Sequence, residues 1–258
     1  MTMNKSYWQD RTDKVFDEIF SEKKIRKIYR QSYKSLKKDI EILFLKVRNG
    51  EKLTRTELYQ YAQFKHLKAN IRAETGVITE KLNKHVDKVL TEAYMKEFDN
   101  VMYLLKRDKT FELQNKKMLK ACLKKKWSGM HYSQRIWGNT NVLAKNIEQT
   151  VTDMLVGGVY TKNELVKNIM RDFRKAYNVA DRLVRTELMH TINTAQVDTY
   201  KSEGVKKVEW LAENDSDICD KCAEMDGKIY NIELFVSGKM QVIQHPRCRC
   251  TICAVVED

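Results

Sequence analysis

Cys219-Asp220-Lys221-Cys222 and, 22 residues further on, His245-Pro246-Arg247-Cys248-Arg249-Cys250 decide how the end of this chain folds. Each x2 spacing lets a tight knuckle aim two side chains at one point, and two such pairs suit one tetrahedral zinc with Zn–S near ~2.3 Å. Five of the six cysteines fall in the last 40 residues, so the pattern is concentrated rather than scattered. The competing reading is buried or disulfide-bonded cysteines. No signal peptide opens the chain, and a reducing compartment favours metal ligation over disulfides.

Five candidates compete for four positions. Cys219, Cys222, His245 and Cys248 give two matched pairs, Cys250 is the first alternate for either member of the second pair, and Cys253 is a weaker contender. A closed set of four or five donors predicts structural Zn2+, because a catalytic zinc keeps one position open for water or substrate. Asp217 and Asp220 flank the first knuckle. Arg247 and Arg249 flank the second, where their charge can offset that of a zinc–thiolate centre. Pro246, the chain's one proline, fixes a turn between two ligands.

Upstream of the knuckles, one proline and nine glycines in 258 residues predict long helices. Ile25, Ile28, Tyr29, Tyr33, Leu36, Ile40, Leu43, Phe44 and Val47 recur at three- and four-residue steps, a single apolar stripe that Asn49-Gly50 can end. A second helix begins near Leu58 and is expected to break at Gly76. Leu82, Val86, Val89, Leu90, Ala93, Met95, Phe98, Met102 and Leu105 then resume helical spacing. Ser133 to Val156 reads as another helix closed by Gly157-Gly158, and Thr161 with Glu164 forms a capping box for the next. Asn178 is expected to cap a further helix that Gly204 ends. Beyond Gly204 the pattern changes: Val205–Leu211, Lys228–Ile232 and Thr251–Val256 read as short strands. The fold class is therefore mainly α, a long-helix bundle or elongated helical arm with a small C-terminal α+β zinc-binding module. Three segments follow: 1–132, a long-helix region; 133–204, a helical core; and 205–258, the zinc-knuckle module. The last is too short for a generous core, a lack the metal would make good.

The net charge of +13 is unevenly placed. From Val205 onward seven Lys and Arg face ten Asp and Glu, a net of −3, so residues 1–204 carry +16. The densest region, Lys106 to Arg135, has ten basic residues against Asp108 and Glu112. Within it Lys116, Lys117, Lys120, Lys124, Lys125, Lys126, Trp127 and Arg135 are the candidates for nucleic-acid or polyanion binding, cations for phosphates and an aromatic for stacking. A solvated helix face is the plainer alternative. The longest aliphatic or aromatic run, Ile42 to Leu45, is far too short for a membrane span.

Catalytic constellations are sparse. Arg185-Thr186-Glu187 with His190 puts an acid and a base on one helix face, but that spacing is common by chance, and anchoring of the zinc module by Arg185 or Glu187 is the preferred reading. His66, His85 and His131 are isolated. No Gly-rich phosphate loop, nucleophile elbow or His-Glu-x-x-His motif occurs.

Residues 137–258 resemble the minor head proteins of tailed bacteriophages, the phage Mu protein F-like or head-morphogenesis group. The likeness rests on Ser133-Gln134-Arg135-Ile136-Trp137, Gly157-Gly158, Ala180-Asp181-Arg182-Leu183-Val184-Arg185-Thr186-Glu187, Asn193-Thr194-Ala195, Tyr200, Gly204-Val205, Asp226-Gly227-Lys228 and both knuckles, in order. Tyr7-Trp8-Gln9-Asp10-Arg11 also looks like the start of such proteins. Val242-Ile243-Gln244 departs from the prolines family members commonly carry there. The resemblance implies a non-enzymatic minor capsid protein in the virion, at the capsid interior or portal vertex, and in host cytoplasm during assembly. Its implied partners are the phage portal protein and packaged DNA, with scaffold or major capsid protein as further candidates. The rival is a zinc-dependent nuclease or toxin-like enzyme acting on nucleic acid.

Overall fold

A computed structural model describes residues 5–47, 53–107, 115–157, 161–213 and 218–255. The described elements are α1 (Lys5–Ile19), α2 (Glu22–Val47), α3 (Arg55–Gln60), α4 (Ala62–Leu104), α5 (Lys116–Lys124), α6 (Tyr132–Gly157), α7 (Lys162–Ser202), β1 (Lys207–Leu211), α8 (Asp220–Met225), β2 (Ile229–Asn231), α9 (Glu233–Val236) and β3 (Thr251–Ala254), with a 3-10 turn at Trp127–Gly129. The chain is mainly α with a small C-terminal sheet, as its periodicity predicts. Asn49-Gly50, Gly158 and Asp217, invoked above as breakers or flanking charges, lie outside the described residues.

Two compact units form from alternating stretches of chain: residues 22–85 with 130–181, and residues 1–21 with 86–129 and 182–258. The first is a helical bundle. Ile25, Tyr29, Leu36, Ile40 and Leu43 of α2 are buried at helical spacing, as are Phe64, Leu67, Ile71, Ile78 and Leu82 of α4, and Ile136, Leu143, Ile147 and Val151 of α6. Polar cross-links fix the helices' register. Thr79 and Thr140 hydroxyls meet at 2.6 Å, Asn70 donates to Asp39 at 2.9 Å, and Thr150 donates to Asp172 at 2.8 Å. Tyr33 meets Phe173 edge-on with centroids 5.5 Å apart.

Two expectations about breaks are corrected. Gly76 lies inside α4, which runs unbroken to Leu104, and Asn178 lies inside α7, which runs from Lys162 to Ser202. A single glycine costs a helix only about 1 kcal/mol. Fully buried Ile71 and Ile78 flank Gly76, and Phe173 and Ala180 flank Asn178, so packing on both sides outweighs each local preference. The capping signals act as expected. Thr161 N–H donates to Glu164 Oε2 at 2.6 Å and Glu164 N–H donates to Thr161 Oγ1 at 3.2 Å. At the other end of α7, Gly204 (φ +76°) closes a Schellman motif, with Val205 N–H on the Tyr200 carbonyl and Gly204 N–H on that of Lys201.

The second unit holds the sheet, ordered β2-β1-β3 and antiparallel throughout. Val208 faces Tyr230 on one side and Ala254 on the other, and Trp210 faces Ile252. Val208, Trp210 and Ile252 are fully buried. The spine is the C-terminal part of α7, whose residues Thr186 to Tyr200 are mostly buried although more than half are polar. Gln196, wholly inaccessible, is the hub: its Nε2 donates to Glu97 Oε1 (2.8 Å) and Thr12 Oγ1 (3.2 Å), and its Oε1 accepts from Thr251 Oγ1 (2.8 Å). One side chain thereby ties α1, α4 and β3 to α7, which satisfies polar groups that would each be costly to bury alone.

Candidate metal centre and basic face

Cys219 stands in extended backbone just before α8, and the Ala223 N–H returns to its carbonyl at 3.0 Å, so that Cys222 comes round on the first helical turn. The second knuckle turns at Arg247, whose φ of +63° is unusual for a side-chain-bearing residue, and closes with Cys248 N–H on the His245 carbonyl at 3.1 Å. These turns bring the donors together in two overlapping groups. Cys219, Cys222 and His245 have ligand atoms within 4.8 Å of one another, and so do Cys222, Cys248 and Cys250. Cys222 belongs to both. Neither group includes Cys253, which sits in β3 opposite Glu209.

The distances can be compared with what one ion requires. Tetrahedral ligation at about 2.3 Å for sulfur and about 2.0–2.1 Å for nitrogen separates two sulfurs by about 3.8 Å and a sulfur from a nitrogen by about 3.6 Å. Cys222 Sγ lies 3.9 Å from Cys248 Sγ and 3.5 Å from His245 Nε2. The residues therefore fit a zinc-sized, thiolate-selecting ion.

Electrostatics point the same way. The Cys250 thiol hydrogen-bonds Cys248 and holds it ionised, down to about 5 against the opposing effect of burial. That same bond drives Cys250 up, and burial pushes Cys222 up to about 12. Cys219 is lowered by the backbone and side-chain hydrogen bonds of Cys222. Burial pulls His245 down, but the Pro246 carbonyl and the neighbouring Cys248 and Cys219 outweigh it and leave the imidazole raised. The Cys248 thiolate forms at the expense of Cys250, because two anions at van der Waals separation repel. A divalent cation removes that conflict and allows the ligands to ionise together.

α7 positions the centre. Thr186 Oγ1 accepts the Arg247 N–H at 3.1 Å and pins the strained residue of the second knuckle. Asn193 Nδ2 donates to the Cys250 carbonyl at 3.0 Å, and Gln196 holds Thr251. Positions 186, 193 and 196 share one helix face, so three successive side chains dock the segment from Arg247 to Thr251. The sequence reading assigned anchoring to Arg185 or Glu187. Between those two, Thr186 reaches the knuckle, and Asn193 and Gln196 are further docking residues that the sequence did not single out for this role. Their signal was polar side chains interrupting an apolar stripe. Arg185 lies over the Phe20 ring, 4.1 Å from its centroid. Arg249 pairs with Glu213 at 4.0 Å.

Glu187 has another task. It accepts the Trp127 indole N–H at 2.8 Å, and the Trp127 ring stacks on His190 with centroids 4.3 Å apart and planes at 20°. Trp127 is thus turned toward α7, with its N–H and one face engaged, and it fixes the end of the lysine run. Lys116, Lys117, Lys120, Lys124, Lys125 and Lys126 are all exposed, while Leu119 and Cys122 on the opposite side of α5 pack against Tyr94 and Ala195. Arg135 falls in the other compact unit, where its Nη2 donates to the Met130 carbonyl at 2.8 Å. The six lysines form one exposed basic stretch, and Trp127 backs its end.

Comparison with known families gives a match between residues 145–253 and the family described as Phage Mu protein F like protein. That stretch runs from the middle of α6 through α7 and both knuckles to Cys253. Comparisons with curated proteins and with solved structures give no significant match.

Proposed function

We propose that this chain, phage Mu protein F-like over residues 145–253, is a minor capsid protein of head morphogenesis in a tailed bacteriophage or prophage, with a structural zinc fixing its C-terminal module. The observation that carries the reading is one of coincidence in place. The family-matched stretch contains every candidate ligand, Cys219, Cys222, His245, Cys248 and Cys250, together with the α7 positions that dock them. Zinc would be held by Cys222 with three of the other four, and when bound it supplies charge neutralisation and a cross-link between the knuckles.

A structural role is supported over a catalytic one by where the acid–base candidates sit. Glu187 and His190 are buried and packed on Trp127, and His245 stands among the thiols as a ligand. The exposed lysines of α5 are assigned to a polyanion, packaged DNA in the first instance, with the portal protein as the protein partner at the same vertex. Among the described residues no helix is long and apolar enough to cross a membrane.

The test has two arms. Purified virions or heads should contain the protein in few copies by quantitative mass spectrometry. In solution, the protein should bind duplex DNA without base preference and with a steep salt dependence, and Lys124→Glu/Lys125→Glu/Lys126→Glu should flatten that dependence. Sequence-specific binding, or metal-dependent cleavage of plasmid DNA lost on changing His190 or His245, would overturn the assignment in favour of a regulator or a nuclease.

A further inference from the structure

We infer that the cleft where α7 ends and β1 begins is a docking site for an acidic segment of a partner protein. This goes beyond the role assigned above and depends on neither the metal nor the basic face of α5. The cleft has a volume of about 360 Å3, and its charged lining among the described residues is Arg107, Lys206 and Lys207 against the single acid Glu203. That volume lies within the roughly 300–1,000 Å3 of small-ligand sites.

Glu203 does not neutralise the site so much as orient it. Its side chain is nearly inaccessible and pairs with Arg107 through Nε at 3.3 Å, while the Arg107 side chain as a whole is 56% exposed. An arginine held by its Nε is pre-set for a carboxylate, since less side-chain freedom is lost on binding. The two lysines sit on equally fixed backbone. The Lys206 carbonyl accepts Ile232 N–H and the Lys207 carbonyl accepts Val255 N–H, each at 3.0 Å, so the residues just past β2 and β3 hold the edge of the cleft from both sides. Both lysine side chains are exposed.

The walls decide between anions. Val205 and Val255 place aliphatic surface beside the cations. DNA contact calls for an open track of positive charge, such as the exposed lysines of α5 offer. A concave site mixing cations with aliphatic walls suits a narrow chain that carries carboxylates next to apolar residues, which is the chemistry of an acidic peptide.

A fluorescein-labelled peptide of alternating Glu and Leu, titrated against the full chain by fluorescence anisotropy, tests this. Lys206→Glu/Lys207→Glu should weaken peptide binding at least tenfold, whereas Lys117→Glu/Lys120→Glu on α5 should leave it within twofold and weaken DNA binding instead. Arg107→Gln and Lys206→Gln/Lys207→Gln serve where charge reversal lowers stability, with an expected loss of at least threefold. The proposal is overturned if the wild-type chain binds no peptide up to millimolar concentration. It is equally overturned if both sets of variants weaken the peptide alike, or if a short DNA duplex displaces the peptide and is itself lost in the Lys206/Lys207 variant.

Discussion

Glu97 is the place to perturb the polar spine, and the expected result has a definite sign. Its carboxyl is fully buried, and burial raises it from an ordinary 4.5 to about 7 despite hydrogen bonds from Gln196 and Asn100 and the nearby Arg11 charge, which all favour ionisation. Between about pH 4.5 and 7 the folded protein keeps this proton while the unfolded chain has lost it. Stability therefore falls as pH rises through that window, and the full contribution is present only below it. A gap of about 2.5 units at 1.36 kcal/mol each gives about 3 kcal/mol, an upper figure because the buried site can relax around the charge. Asp13, raised to about 6 by burial and by Glu213, drifts in the same sense, so the test is a difference between two proteins. Glu97→Gln keeps the acceptor for Gln196 and cannot ionise. Urea denaturation from pH 5 to 8.5 should show the variant within about 1 kcal/mol of wild type at pH 5 and more stable by 1–3 kcal/mol at pH 8. Parallel curves for the two proteins across that range would refute the reasoning.

Gly76→Ala should stabilise the protein by about 0.5–1 kcal/mol, because α4 is continuous there and a Cβ meets nothing within 4 Å; a lower melting temperature would show that the helix needs the glycine. Thr186→Val keeps the shape of the side chain but removes the acceptor for Arg247 N–H, at an expected cost of about 1–2 kcal/mol. It should also speed the stripping of metal by a chelator, and an unchanged rate would separate α7 from the second knuckle. Trp127→Phe leaves Glu187 without its indole donor and should cost about 1–3 kcal/mol by thermal denaturation, with DNA binding affected less than by lysine reversal.

What the residues disclose in advance follows from how local the governing physics is. The x2 spacings, the Thr161–Glu164 box and the left-handed Gly204 act within a few residues, and each appears in the structure where the sequence puts it. The strands centred on Val208, Tyr230 and Ile252 were legible because β-favouring residues cluster after the last helix. Gly76 and Asn178 misled because a local preference worth about 1 kcal/mol yields to buried neighbours on both sides. The docking of Thr186, Asn193 and Gln196 on residues 247, 250 and 251 was invisible for the opposite reason: those partners are at least 55 positions apart in sequence, and only the folded chain brings them together. Trp127 shows the same limit, since its neighbours in sequence are lysines but its neighbours in space are Glu187 and His190.

Metal content measured by mass spectrometry on the purified chain and on Cys222→Ser tests the central claim most directly, since Cys222 alone belongs to both donor groups. The account predicts one zinc per chain, lost in Cys222→Ser together with a marked drop in melting temperature that a chelator reproduces in the wild type. A wild-type chain free of zinc after growth with zinc, or a Cys222→Ser chain that keeps both its zinc and its melting temperature, would contradict it.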